Sequence, residues 1–523
     1  MYRSLHPPLD IPATPLAEFV LARAAARGER PALVCAVTGR SVSYAALPEI
    51  VDRTAVGLAA LGIAKGDVCA IFAANSPEYV IAVLAIARLG AVVTTASPAY
   101  TKDDLAKQLR DSGASVLLTS QLLAPIWTQA IAGTTVEHVV MFDDPGAVAG
   151  QVDAEVLRFD ALAAIPGVPP RVTIDPDDLV ALPYSSGTTG LPKGVMLTHR
   201  NLVANILQTA DAGHYIDGAD TTIAFLPFFH IYGLTIIVLM GVWAGVTLVV
   251  VPKFDLEHYF DLVERHRATL LHVVPPIVLA IAKHPSVAGR DFSSIRKLFS
   301  GAAPLGQDVT EQCTRRIGCI LQQGYGLTET SPAAFITPED TPIKPGSVGW
   351  PVANTEARVV DVETGADVAP GADGEIWIRG PQVMRGYLGR LAETRAMMDG
   401  DGWLRSGDIG RVDDDGYFFI VDRVKELIKY KGLQVPPAEL EAVLLSHPAV
   451  ADAAVVPLKD VECGEIPRAF VVLRGAATAE ELMAYVAERV TPYKKVRRVE
   501  FIDAIPKSAS GKILRRLLRD RAT

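Results

Sequence analysis

The chain has 523 residues, half of them hydrophobic, and a net charge of −9. That length exceeds what a single core supports, so two or more domains are expected, and an acidic balance with no long basic run argues against nucleic acid as the main partner. The five cysteines (Cys35, Cys69, Cys313, Cys319, Cys463) form no Cys-x-x-Cys pair, which argues against zinc and against a disulfide framework and suits a reducing cytosol. Residues 1–8 carry no apolar signal-peptide core, and Arg521-Ala522-Thr523 is not a peroxisomal address, so a cytoplasmic protein is expected.

Leu16, Phe19 and Val20 recur at helical spacing and predict an amphipathic helix over 14–30, stopped by Pro31. Ser43-Tyr44 opens a second helix to about Leu61. Strands are expected at 68–72, 91–95 and 115–119, with helices at 77–89 and 103–112 between them. This alternation reads as α/β with a largely parallel sheet. Residues 134–177, with Pro145, Gly146, Pro166, Pro169 and Pro170, read as loop-rich.

Two apolar runs, 179–182 and 195–197, read as buried strands flanking Tyr184-Ser185-Ser186-Gly187-Thr188-Thr189-Gly190-Leu191-Pro192-Lys193-Gly194. Glycine lets a backbone come close to a ligand, successive N–H groups can form an anion nest, and Lys193 adds positive charge. This chemistry suits a triphosphate. It differs from the Gly-Lys-[Ser/Thr] loop of other nucleotide enzymes, because Pro192 precedes the lysine and Gly194 follows it. Taken alone the stretch could be a Ser/Gly-rich hairpin.

A helix is expected over 201–211 and a strand over 221–226, ending in Pro227-Phe228-Phe229-His230-Ile231-Tyr232-Gly233. His230 by itself reads as a packed core histidine. The uncharged run 231–252 reads as a buried helix, a turn at Ala244-Gly245 and a buried strand, rather than a membrane span. A strand at 270–274 and a helix opened by Pro275-Pro276 follow. The strand beginning at Lys297 breaks at Ser300-Gly301-Ala302-Ala303, where small residues let a flat ring lie against the backbone. In Gln322-Gln323-Gly324-Tyr325-Gly326-Leu327-Thr328-Glu329-Thr330, Thr328 can donate to a phosphate oxygen and Glu329 can hold Mg²⁺. A strand is read at 374–380 and a turn at Gly386-Tyr387-Leu388. Asp408 within 402–410 could simply cap a turn. The chain turns from apolar to charged at 421–429, and beyond it a small α/β unit restarts, with helices at 437–444 and 479–490 and strands at 450–456 and 468–473. The last motif, 505–516, places Lys512 on a Gly-led turn before a basic helix.

The stretch 185–195 resembles the phosphate loop of the adenylate-forming superfamily of acyl-CoA synthetases, luciferases and peptide-synthetase adenylation enzymes. The strings around His230, 297–305, 322–330, 402–410 and 505–516 follow in that superfamily's order. Lys429-Tyr430-Lys431-Gly432-Leu433-Gln434-Val435 followed by Pro437-Ala438-Glu439-Leu440-Glu441 is similar to the 4-coumarate:CoA ligase-like branch. The resemblance spans nearly the whole chain. It implies a large N-terminal α/β domain of stacked mixed and parallel sheets (1–422) and a small mobile α+β domain (423–523), with the hinge at Asp422.

The implied reaction joins a carboxylic acid to coenzyme A through acyl-AMP, using ATP and Mg²⁺. Implied catalytic residues are Lys512, His230, Thr328 and Glu329, with Thr188 and Glu329 toward the metal. Ser185, Ser186, Gly187, Thr188, Thr189, Gly190 and Lys193 would hold phosphates. Gly301, Ala302, Ala303, Gln323, Gly324, Tyr325 and Gly326 would border adenine, Tyr325 offering a stacking face. Asp408 and Arg423 would hold ribose, and Lys425, Lys429 and Gln434 would add nucleotide contacts. Lys253, Lys431 and Gly432 match CoA-side positions. The acyl pocket would be formed by His230, Tyr232, Ile236, Phe299, Ala302, Gly324, Pro332 and Ala333. Its apolar lining disfavours a dicarboxylate. Plant coumarate ligases tend to have a small polar residue where Ile236 stands and methionine where Phe299 stands, and both departures weigh against hydroxycinnamate specificity; the resemblance implies an aromatic (4-coumarate-like) or medium-chain monocarboxylate. Two other readings stand beside this one: an adenylation enzyme loading a carrier protein in trans, and a non-catalytic nucleotide-binding protein. The latter would be expected to lack a charged site residue, and none is missing.

Overall fold

A computed structural model of the chain describes residues 1–148, 150, 152–185, 192–216, 218–303, 305–431, 433–508, 511–519 and 521. The fold is mixed α/β, with a large N-terminal domain and a small C-terminal one. The strands Val68–Phe72, Val92–Ala96 and Val116–Thr119 lie side by side and parallel, as the alternation predicts. Two further strands, His138–Met141 and Glu155–Arg158, extend the same parallel sheet, and the helix Phe159–Ala163 follows. This corrects the loop reading of 134–177. The strands are only four residues long and sit among prolines and glycines, so their period does not stand out, yet Val139, Val140 and Met141 are fully buried.

Two early boundaries also move. The first helix covers only Leu16–Leu21. The chain then turns so that Arg27 donates to the carbonyls of Val242 at 3.2 Å and Trp243 at 2.7 Å, contacts a continuous helix would not favour. Ser41–Ser43 is a strand paired with Pro31–Cys35, and the second helix begins at Leu47 and runs to Ala60. The uncharged segment divides as expected. Tyr232–Leu239 is a buried π-helical turn, in which Met240 N–H reaches the carbonyl of Thr235. Thr247–Val250 is a strand lying parallel between Thr221–Ala224 and Pro31–Cys35. Among the described residues no helix is long and apolar enough to cross a membrane.

Two other sheets carry the site. In one, Leu270–Val273, Lys297–Ser300 and Ile320–Gly326 run parallel, and Ala333–Ile336 returns antiparallel. In the other, Leu404–Val412 pairs with Phe418–Arg423, so that Asp408 faces Arg423 across the ladder. The small domain has a sheet of its own (Ile428–Tyr430, Leu433–Val435, Val450–Asp460, Gly464–Leu473, Arg498–Phe501), packed with Pro437–Ser446 and Ala479–Ala487 around Val435, Leu440, Val455, Val471 and Leu482. Arg515 fastens its last helix, Arg515–Arg519, to this core: the guanidinium pairs with Glu426 and reaches Glu441 at 2.7 Å.

Candidate active site

The phosphate-loop stretch is entered and left by a short antiparallel pair, Tyr184 opposite Gly194 and Ser185 opposite Lys193. Of its expected residues, Ser186, Gly187, Thr188, Thr189 and Gly190 lie outside the described residues. The pair is anchored from below: Tyr184 hydroxyl donates to Asp111 at 2.8 Å, and Arg390 donates to the same carboxylate at 3.2 Å. Ser185 hydroxyl donates to Glu329 Oε1 at 3.1 Å, and Tyr387 hydroxyl donates to that same oxygen at 2.8 Å. The Lys193 ammonium stands 4.9 Å from the centre of the Tyr387 ring. Tyr387 thus joins the loop's lysine to the carboxylate expected to face the metal, a role the sequence did not single out. The expected turn there is a two-residue strand, Gly386–Tyr387, paired with Val195 and Met196.

Glu329 presents hard oxygen, and among the described residues no three His, Cys, Asp or Glu side chains converge as a metal cage. That donor set fits Mg²⁺ arriving with phosphate oxygens, since this ion keeps most of its shell from water and substrate.

The second cluster lies where the two domains meet. Tyr325, at the end of its strand, donates to Asp408 Oδ2 at 2.6 Å, and Arg423 lies 3.4 Å from Asp408 Oδ1. Burial pushes the Asp408 carboxyl up, against the opposing pull of Arg423, Tyr325 and Lys512. Burial lowers the Lys512 amine to about 8, Arg423 adds to the effect, and Glu426 and Asp408 oppose it. The Lys512 loop is built by its own hydrogen bonds: Ser508 N–H donates to Lys512 carbonyl at 2.8 Å, and Lys512 N–H to Ser508 Oγ at 3.1 Å. Gly511, at φ +80°, brings this loop against Val274 and Pro276. Burial and the nearby Lys512 lower the His230 imidazole to about 4, so it is neutral at pH 7. Asn75 holds the His230 segment, accepting from Phe228 N–H at 2.9 Å and donating to Leu226 carbonyl at 2.9 Å.

His230 and Tyr232 line a hollow of about 10 Å³ with Leu226, Pro227, Gly233, Val274 and Ala302. Ala302 takes φ +71°, uncommon for a residue with a Cβ, and turns the chain sharply after its strand. Phe299 is anchored beside it, its carbonyl accepting from Tyr232 hydroxyl at 3.1 Å. The Phe299 ring fills the space in front of Gly324, where an added Cβ would lie 2.5 Å from its Cζ. Of the residues expected to form the acyl pocket, Ile236, Phe299, Gly324, Pro332 and Ala333 are not among those lining this hollow. Gln323 spends its amide on the turn after Ala303, accepting from Leu305 N–H at 3.2 Å. Gly301 packs against the Tyr232 ring. Gly326 ends the strand Ile320–Gly326, and Leu327 and Thr328 carry the chain on to Glu329.

Lys425, Lys429, Lys431, Gln434 and Lys253 are exposed, standing in solvent rather than in the Asp408–Lys512 cluster; Gly432 lies outside the described residues. Asp422 is buried, and its carboxylate accepts from Arg423 N–H at 2.7 Å and Ala438 N–H at 2.8 Å. A larger hollow of about 440 Å³ lies elsewhere, bordered by Arg40, Glu78, Phe142, Arg158 and Asp160. It shares no lining residue with the site, and Arg40 and Arg158 are already paired with Glu78 and Asp160.

The sequence matches the family described as AMP-binding enzyme over residues 20–388 and the AMP-binding enzyme C-terminal domain over 439–512. A 4-coumarate–CoA ligase 5 of Oryza sativa subsp. japonica is 45% identical over 532 residues, covering 99% of this chain and 97% of that protein. Among solved structures, the anthranilate CoA ligase AuaEII in complex with anthranoyl-AMP superposes with a TM-score of 0.88 at 25% identity, covering 98% of each chain. A benzoate CoA ligase from Burkholderia xenovorans LB400 gives 0.86 at 28% identity, covering 97% of this chain and all of that one. The chain therefore belongs to the AMP-binding, adenylate-forming enzyme family, and within it to the 4-coumarate–CoA ligase-like group of AMP-forming acid–thiol ligases.

Proposed function

We propose that the chain converts an aromatic or medium-chain monocarboxylic acid to its CoA thioester in the cytoplasm. In the first step a carboxylate oxygen attacks the α-phosphorus of ATP; an O–P bond forms, the bridge to the β-phosphate breaks, and pyrophosphate leaves. In the second, the CoA sulfur attacks the acyl carbon and AMP leaves with the bonding pair, while the thiol proton passes to solvent. A carboxylate is a weak nucleophile toward a polyanion, so positioning and charge neutralisation are what the protein must supply.

The observation that carries this reading is the meeting of Asp408, Arg423, Tyr325 and Lys512 beside the hollow lined by His230. Lys512 would bridge the acid and the α-phosphate. The buried carboxylate of Asp408, with Arg423 beside it, would accept from the ribose hydroxyls. Neutral His230 would border the acyl group without adding charge. Glu329 with Thr188 would hold Mg²⁺, which supplies screening of the phosphate charge, and Tyr387 would fix the angle of Glu329. We assign the joint to Asp422–Arg423, with residues 1–422 and 423–523 as the two bodies; rotation there would carry Lys512 away and bring Lys431 and Gly432 in for the thiol step, opposite Lys253. The test is exchange of labelled pyrophosphate into ATP across a panel of acids, followed by AMP release with and without CoA. Exchange that needs both acid and Mg²⁺, and thioester that needs CoA, is the expected result. Acid-independent release of ADP would overturn the proposal.

A further inference from the structure

Behind the acyl hollow lies a buried polar group that the reaction does not use. His272 sits opposite Phe299 in the parallel register of their strands, so both side chains rise from one face of the sheet. The ring of His214 meets Phe299 edge-on, with centroids 4.3 Å apart and planes at 88°. His214 Nε2 lies 2.8 Å from His272 Nε2, and His272 is held in turn by Thr222 Oγ1 at 3.3 Å and Tyr215 hydroxyl at 3.2 Å. Both imidazoles are buried and neutral, so one donates to the other across that short contact. The segment bearing His214 is itself tied down: Arg296 donates to His214 carbonyl at 3.2 Å and Lys297 to Gly213 carbonyl at 3.1 Å.

The Phe299 ring is therefore gripped from two sides. Gly324 stands in front of it, with no room for even a Cβ, and the imidazole of His214 stands at its flank. An aliphatic residue in place of His214 could change rotamer and let the ring recede. An imidazole locked by a hydrogen bond to a second locked imidazole has one orientation. We propose that His214 is a positioning residue that sets the depth of the acyl pocket by holding Phe299 at its edge, so that among aromatic acids the enzyme favours a compact single ring over one with an extended distal group. This rests on the reading that Phe299 borders the acyl site.

The experiment compares kcat/KM for pyrophosphate exchange with benzoate and with the longer cinnamate, in the parent and in His214→Ala, His214→Asn, His214→Phe and Phe299→Ala, with the KM for ATP measured alongside. His214→Ala and His214→Asn should raise the cinnamate-to-benzoate ratio by roughly tenfold or more, the scale on which one or two carbons are discriminated in a pocket, and leave the KM for ATP at the parent value. His214→Phe, which restores a ring beside Phe299, should return the ratio toward the parent. Damage to the fold alone would lower both acids together and leave the ratio where it was. Should His214→Ala not fold, His214→Asn, which keeps a polar partner for His272, decides the matter. A ratio unmoved in the His214 variants but raised in Phe299→Ala overturns this proposal and leaves the acyl site standing. A ratio unmoved in Phe299→Ala as well overturns both.

Discussion

The ammonium of Lys512 loses its proton inside the working pH range. Burial lowers it from 10.5 to about 8, with Arg423 pushing the same way. In the role proposed for Lys512 only the charged form would pair with the acid and the α-phosphate, so adenylation should be level well below pH 8, half lost near 8 and in decline above it. At pH 9 about one enzyme in ten still carries the charge, and kcat/KM for the acid should fall about tenfold for each further pH unit. An ordinary exposed lysine would hold its proton to about 10.4. Bound ATP adds negative charge around the amine and favours its protonated form, so the decline in kcat should come at higher pH than the decline in kcat/KM. Pyrophosphate exchange with acid and ATP both subsaturating, from about pH 6.5 to 10, measures the decline in kcat/KM, and saturating substrates measure the decline in kcat. Lys512→Arg keeps a charge that does not titrate here. It should be slower but flat across the range. A decline that begins only near pH 10, or that persists in Lys512→Arg, would refute the assignment of the limb to this amine. Folding has its own sign: between about 8 and 10.5 the unfolded chain binds more protons at this lysine, so its contribution favours the folded state as pH rises through that window.

Tyr387→Phe removes the donor to Glu329 but keeps the ring beneath Lys193; losing a hydrogen bond to a charged group, about 1.5–3 kcal/mol, should raise the KM for MgATP by roughly tenfold or more and leave the KM for the acid unchanged, and an unchanged MgATP KM would show that Glu329 is held without it. Lys512→Ala should slow acyl-AMP formation by roughly 10²–10³ yet still convert supplied acyl-AMP and CoA, whereas Lys431→Ala should keep pyrophosphate exchange and lose thioester formation; equal loss of both half-reactions in both variants would rule out a rotation at Asp422. Arg515→Ala leaves Glu426 and Glu441 without their partner and should cost about 3–5 kcal/mol in urea unfolding of the small domain; a loss under about 1 kcal/mol, the range of an exposed pair, would mean that water replaces the guanidinium.

Asp408, Arg423 and Lys512 were legible through the resemblance rather than through local pattern: taken alone, Asp408 could cap a turn and Lys512 stands on a Gly-led turn before a basic helix, yet in the structure Arg423 lies 3.4 Å from Asp408 and both act on the Lys512 amine. The division of 231–252 was readable because a glycine stands between an apolar helical run and a β-branched one. Tyr387 was not, because its partners Glu329 and Lys193 are 58 and 194 positions away in different elements, and a Gly-Tyr-Leu-Gly string looks like any turn. Nothing in the sequence singles out His214 and His272, which are 58 positions apart; the fold sets their rings in contact beside Phe299. The strands 138–141 and 155–158 were hidden for another reason. Their pairing energy comes from neighbours distant in sequence, which no local period records.

That same long-range pairing governs how the chain is made. Tyr2–Arg3 forms its ladder with Glu356 and Ala357, the Leu9 backbone bonds with Asn354, and Leu33 lies beside Leu248. On a ribosome adding about 5–20 residues per second, the opening segment waits on the order of twenty seconds to a minute for its partner strand. Through much of that interval Leu33 is without the strand Thr247–Val250 that finally lies beside it. The small domain faces no such wait: its sheet pairs only strands between Ile428 and Phe501, so it can close as soon as it emerges. Nascent-chain stalling should therefore yield protease-sensitive fragments up to about residue 360, and chaperone demand should be concentrated in the first two-thirds of synthesis.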